Sequence, residues 1–194
     1  MRRNSLTFVA CVVAILSFSS PGAGRPDKEK AWFGHVAGGY SSPQASAGDL
    51  VDPGWLLEGG ALYRPREWPV GIDVGLGYNE YDIASEALSD IQGATGGDIE
   101  IWSLTADAMW GPRTGGPVSA YVVGGVGGYY LHGEPTEPGI YTGDSATEFG
   151  YNVGAGITFQ VGRGSQIFLE ATYHRVATSP TATEYIPIVL GYRW

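Results

Sequence analysis

The sequence predicts an all-β protein, an eight-stranded antiparallel up-and-down transmembrane β-barrel occupying residues 31–194. Three observations predict it. Between Ala31 and Trp194, eight segments of roughly 10 to 15 residues carry period-two patterning, with no helical stripe among them. Their connections alternate in length, short then long, as in an up-and-down membrane barrel. The chain also opens on a leader that takes it out of the cytoplasm.

That leader is residues 1–24. Arg2 and Arg3 precede an apolar run from Leu6 to Phe18, and Ser19-Ser20-Pro21-Gly22-Ala23-Gly24 supplies the small residues of a cleavage site near Gly24. A membrane anchor is the alternative, but the run is shorter than the ~20 residues a spanning helix needs. Cys11, the only cysteine, lies inside the run with Val12 to Leu16 still to follow, so a lipoprotein cut there would interrupt the apolar region near its start. Without the leader no thiol remains for disulfides or cysteine metal sites. Residues 25–30 are a short periplasmic segment before the barrel. The formal charge is −9, and losing Arg2 and Arg3 lowers it by two. So acidic a chain is a poor nucleic-acid binder.

The first predicted strand, Ala31 to Ser41, has an ambiguous pattern. His35 is placed inward, because an imidazole facing lipid costs more than Trp32, Val36 and Tyr40 there. The second, Gly54 to Arg64, carries Glu58 on its inward parity. In the third, Val70 to Tyr81, the set Val70, Ile72, Val74, Leu76 and Tyr78 opposes Gly71, Asp73, Gly75, Gly77 and Asn79. In the fourth, Ile99 to Trp110, Trp102, Leu104, Ala106, Ala108 and Trp110 oppose Ser103, Thr105 and Asp107. The fifth, Val118 to Leu131, contains Gly124-Gly125-Val126-Gly127-Gly128, which neither opens a helix nor precedes Lys-Ser/Thr and so fails as a nucleotide loop. Glycines there relieve crowding where a small barrel bends. The sixth, Glu148 to Val161, is the clearest: Phe149, Tyr151, Val153, Ala155, Ile157, Phe159 and Val161 on one face, Gly150, Asn152, Gly154, Gly156, Thr158 and Gln160 on the other. Gln166 to Val176 and Tyr185 to Trp194 complete the set, carrying Glu170 and Arg193 inward. Arg64 to Pro69, Gly111 to Pro117 and Gly162 to Ser165 are tight turns. Ser42 to Pro53, Asn79 to Asp98, His132 to Thr147 and Ala177 to Glu184 are longer polar loops.

A soluble barrel would show the same periodicity with its faces reversed. The polar face here is built from Gly, Ser, Thr, Asn and isolated carboxylates, sized for a narrow interior, whereas a water-facing wall is rich in Lys and Glu. Lys is absent after Lys30. Aromatics gather at strand ends (Trp55, Tyr63, Tyr78, Trp102, Trp110, Tyr130, Phe149, Tyr173, Tyr192 and Trp194), where interfacial girdles belong. Arg25, Lys28, Lys30, Arg64, Arg66, Arg113, Arg163 and Arg193 fall on the short-turn side, with Arg175 alone near the other end. The long loops and their flanks carry the acids: Asp49, Asp52, Glu80, Asp82, Glu86, Asp90, Asp98, Glu100, Glu134, Glu137, Asp144, Glu148 and Glu184. Simple solvation of the loops is the leading reading of such a rim, with attraction of divalent cations as partners the hypothesis beside it.

In the last segment Ile186, Ile188, Leu190, Tyr192 and Trp194 alternate outward and end on an aromatic. With the hairpin formed by Phe168-Leu169-Glu170-Ala171-Thr172-Tyr173 and Ile186 to Trp194, nearly the whole chain resembles the OmpA/OmpX-type small outer-membrane β-barrels. Gly191 departs from that pattern, standing two positions after the usual glycine, where Val189 is found. The resemblance implies an outer-membrane location, and an assembly signal at Ile188, Leu190, Tyr192 and Trp194 presented to the barrel-assembly machinery. It also implies a monomer surrounded by outer-membrane lipid. Such barrels include structural anchors, adhesins, small pores and a few lipid-modifying enzymes, so the fold does not choose between them.

The chemistry of the residues narrows the choice. A Ser/His lipid hydrolase like the lipid A deacylase barrels needs a serine two residues after the histidine, but Arg175 and Val176 follow His174, and Thr172, Thr178 and Ser179 miss the spacing. His35, His132 and His174 have no zinc-site spacing. No cofactor and no catalysis are expected. Glu58, Asp73, Asp107 and Glu170 point inward and need partners. Arg193 is the expected one, with His35 or His174 as helpers. The set either plugs the lumen or lines a narrow cation-preferring path; the plug is favoured because eight strands enclose room only for side chains. The expected role is structural or in surface interaction, ahead of a small pore and then a lipid hydrolase.

Overall fold

The computed structural model describes residues 31–44, 51–65, 68–83, 97–112, 117–135, 145–162, 164–179 and 181–194. The predicted leader (1–24) and segment 25–30 lie outside the described residues. So do Arg66, Arg113, Arg163, Asp49, Glu86, Asp90, Glu137 and Asp144.

Eight strands follow in sequence order: β1 Trp32–Gln44, β2 Gly54–Tyr63, β3 Val70–Asp82, β4 Gly97–Trp110, β5 Val118–Pro135, β6 Ser145–Gly162, β7 Ser165–Val176 and β8 Thr183–Arg193. Each pairs antiparallel with its neighbour, and β8 returns to β1, closing the barrel. Closure leaves no unpaired backbone edge, which hydrocarbon could not satisfy. Several strands run further toward the long loops than the periodicity predicts: β1 to Gln44, β4 from Gly97, β5 to Pro135 and β6 from Ser145. Pairing continues there, with Gln44 opposite Glu184 and His132 opposite Ser145. These extensions read Ser42-Pro43-Gln44, Gly97-Asp98, His132-Gly133-Glu134-Pro135 and Ser145-Ala146-Thr147, with no sustained apolar and polar alternation to mark a strand. The β6–β7 turn contains Gly164 at φ 82°, a left-handed conformation glycine adopts without steric cost, beside a register shift between Gln160 and Gly162.

Side-chain orientation follows the predicted parity. Val153 is 55% exposed and Leu104 59%, whereas Asn152 is 5% and Thr158 6% exposed. The apolar wall therefore faces outward. His35 is buried in the lumen while Trp32 and Tyr40 are exposed, resolving the ambiguous first strand. The lumen is greasier than a face of small polar groups and carboxylates. Leu62, Met109 and Tyr121, with Phe33 against them, form a layer near the short turns. Ala37, Leu56, Phe168 and Val189 pack in the middle. Tyr81, Ile101, Tyr129, Val176 and Tyr185 form a layer near the long loops.

Two aromatic belts bound the apolar wall. Trp55, Tyr78 and Trp102 form a row near the long loops, with ring centres 5.3 and 4.8 Å apart. Trp32, Tyr63 and Trp68 form another at the short-turn end, spaced 4.7 and 6.3 Å. Amphipathic rings at both limits of a hydrocarbon-facing band are the signature of an interfacial girdle. At the β1–β8 seam, Gly34 and Trp194 exchange two backbone hydrogen bonds of 3.0 Å. The Trp194 ring covers Gly34, where a Cβ would lie 2.8 Å from its Cζ2.

Candidate functional site

The lumen gathers the ionisable groups. Strand alternation turns His35 of β1, Glu58 of β2, Asp73 of β3, Asp107 of β4, Glu170 of β7 and Arg193 of β8 to the inside, and all six line one cavity of about 60 Å³. It lies among the apolar layers, so water cannot freely solvate these groups and protein partners must do so.

The partners are mostly hydroxyls and one amide. Glu170 accepts from Tyr121 at 2.7 Å and Thr172 at 3.1 Å. Asp107 accepts from the Asn152 amide at 2.7 Å and from Thr105 at 2.8 Å. Asp73 faces His35 Nδ1 at 3.6 Å, beyond hydrogen-bond distance. Arg193, the expected partner of the acids, shares their cavity and acts on Glu58, Asp73 and Glu170 through its charge, while its guanidinium also lies 4.8 Å from the Phe168 ring centre and 5.8 Å from that of Tyr121. Those are cation–π distances. The Arg193 Nε has no hydrogen-bond partner among the described residues. His174, the other expected helper, belongs to the outer layer. Its Nδ1 is 3.0 Å from the Tyr129 hydroxyl and its ring stacks on Tyr185 at 4.8 Å.

Tyr121 escaped the sequence reading. It lies opposite Gly156, which in turn lies opposite Glu170, so its hydroxyl crosses a residue without a side chain to reach the acid. The signal was present as parity on β5, but it needs the register of two ladders. The glycine cluster has a similar use. Gly125 lies opposite Asp107, and a Cβ there would collide with Asp107 Oδ1.

A second charged region lies beyond the upper aromatic belt. Glu80 stands opposite Glu100, and Asp82 opposite Asp98. The Tyr78 hydroxyl is 2.9 Å from Glu80 and 3.0 Å from Glu100, which draws both carboxylates toward the belt. Burial, then hydrogen bonding and repulsion from Asp82, raise the Asp98 pKa above its ordinary value. Among the described residues no group of three or more His, Cys, Asp or Glu side chains is arranged to hold a metal ion. On β8, Ile188, Leu190 and Tyr192 face outward and exposed, and Trp194 stacks with Tyr192 at 6.0 Å.

Comparison with curated protein sequences gives no match. Among solved structures the chain is similar to Neisserial surface protein A, with a TM-score of 0.62 at 17% identity over 84% of this chain and 96% of that one. It is also similar to a major outer membrane protein from Thermus thermophilus, with a TM-score of 0.59 at 13% identity over 86% and 100% of the two chains. The outer membrane protein OprG from Pseudomonas aeruginosa gives 0.54 at 15% identity over 86% and 97%. At such identities the likeness is one of fold. The model of the outer membrane protein beta-barrel domain matches residues 9–193. With its closed sheet, outward apolar band and paired belts, the chain belongs to the outer membrane protein beta-barrel domain family and resides in the bacterial outer membrane.

Proposed function

We propose that this barrel is a non-conducting outer-membrane protein with a structural or surface-interaction role and no catalysis. The layered lumen carries the proposal: apolar clusters around Tyr121 and around Tyr129 lie toward the two ends of the cavity holding Glu58, Asp73, Asp107 and Glu170. An ion crossing would have to shed water twice beside hydrocarbon, which is prohibitive without compensating ligands. Side chains, rather than a channel, fill an eight-stranded barrel.

The barrel acts as a monomer in outer-membrane lipid, delivered by the barrel-assembly machinery through Ile188, Leu190, Tyr192 and Trp194. Divalent cations gather diffusely over the acids near the long loops. Calcium titration followed by loop amide shifts tests that last point, and unchanged spectra at millimolar calcium refute it.

A small cation-preferring pore is the second reading, favoured by the four carboxylates around a single guanidinium. Planar-bilayer recording separates the two. The expected result is a silent bilayer; steady cation-selective current would overturn the proposal in favour of the pore.

A further inference from the structure

The hydrocarbon-facing wall is not uniformly convex. On the outer side of β4 to β8 it sinks into a groove of about 530 Å³. Small residues form the floor. Ala155 and Ala171 stand opposite each other on β6 and β7, and Ala120 lies nearby on β5. Larger apolar groups form the walls: Val122 opposite Ala155, Ile188 opposite Ala171, and the pair Ile157 and Leu169 on one side. Trp110, opposite Val122, closes the end nearest the short turns. The row from Trp110 through Val122, Ala155 and Ala171 to Ile188 follows the hydrogen-bonding direction. Because strands of such barrels tilt by about 35–45°, that row climbs obliquely from the interfacial rim toward mid-membrane.

We propose that this groove holds one acyl chain of a phospholipid from the leaflet on the short-turn side. The recess is continuous with the band that already faces hydrocarbon, so a lipid chain reaches it without crossing water. Its shape selects the occupant. A second barrel is itself convex and would rest on the walls formed by Val122, Ile188 and Leu169, leaving the alanine floor without dispersion contacts. A single flexible chain can follow the slot to its floor.

The test compares the native barrel with the double variant Ala155→Leu and Ala171→Leu. This change fills the floor with residues still suited to a lipid-facing wall. Both proteins are reconstituted in vesicles of phosphatidylethanolamine and phosphatidylglycerol, extracted, and weighed by native mass spectrometry. The native barrel is expected to retain one phospholipid, and the filled variant to show at least ten-fold lower occupancy. A control change across the barrel, Val74→Leu, should retain the lipid. Heat-modifiable gel migration confirms that each protein is folded. Equal retention by native and filled barrels, no retention by the native barrel, or a native dimer that the filled variant loses would each overturn the proposal.

Discussion

At the scale of single residues, the luminal acids depend on neighbours that lack side chains. Gly125 is the clearest case: replacing it with valine forces Asp107 from its bonds with Asn152 and Thr105. Gly125→Val is expected to lower stability by about 1–3 kcal/mol, the usual range for overpacking, read by urea unfolding in detergent micelles. An equally stable variant would mean that the Asp107 contacts contribute nothing. Asp98, beyond the membrane, supplies a pH test. Its folded pKa is raised above the ordinary 3.8, so the folded chain holds this proton more tightly than the unfolded one. The associated stabilisation is fully present below pH 3.8 and is lost as pH rises through the folded pKa. Asp98→Asn should flatten that part of the stability profile, measured by thermal melts across the acidic range.

At the scale of elements, the β1–β8 joint rests on Gly34. Gly34→Val should push the Trp194 ring off the strand and lower stability by about 1–3 kcal/mol, with tryptophan emission shifting in the folded state; an unshifted spectrum would contradict the packing. All eight strands were legible in the sequence because hydrocarbon on one side and a narrow lumen on the other impose alternation on each. The legible stretch ends where that contrast ends, which is why the extensions from His132 to Pro135 and from Ser145 to Thr147 carry no signal. The same parity turns Glu58, Asp73, Asp107, Glu170 and Arg193 inward, where they line one cavity. Which group bonds which was not legible. Tyr121 reaches Glu170 across Gly156, while Arg193 turns to Phe168, and both outcomes depend on register and curvature that no single strand encodes.

At the scale of the whole molecule, closure and filling act together. A sheet whose lumen is packed from Phe33 to Tyr185 should resist unfolding in detergent until heated, so the unboiled protein is expected to migrate faster on a gel than the boiled one. Identical mobility would argue against the closed form. Seven of the eight joints connect strands consecutive in the chain, and the eighth brings Gly34 to Trp194. The hairpins can zip locally, whereas the last joint must gather the two extremities of the domain, and the entropy of ring closure falls on that one step. A circular permutant, cut within a long loop and spliced across the present extremities, would turn this joint into an ordinary hairpin and move the slow kinetic phase to the new cut.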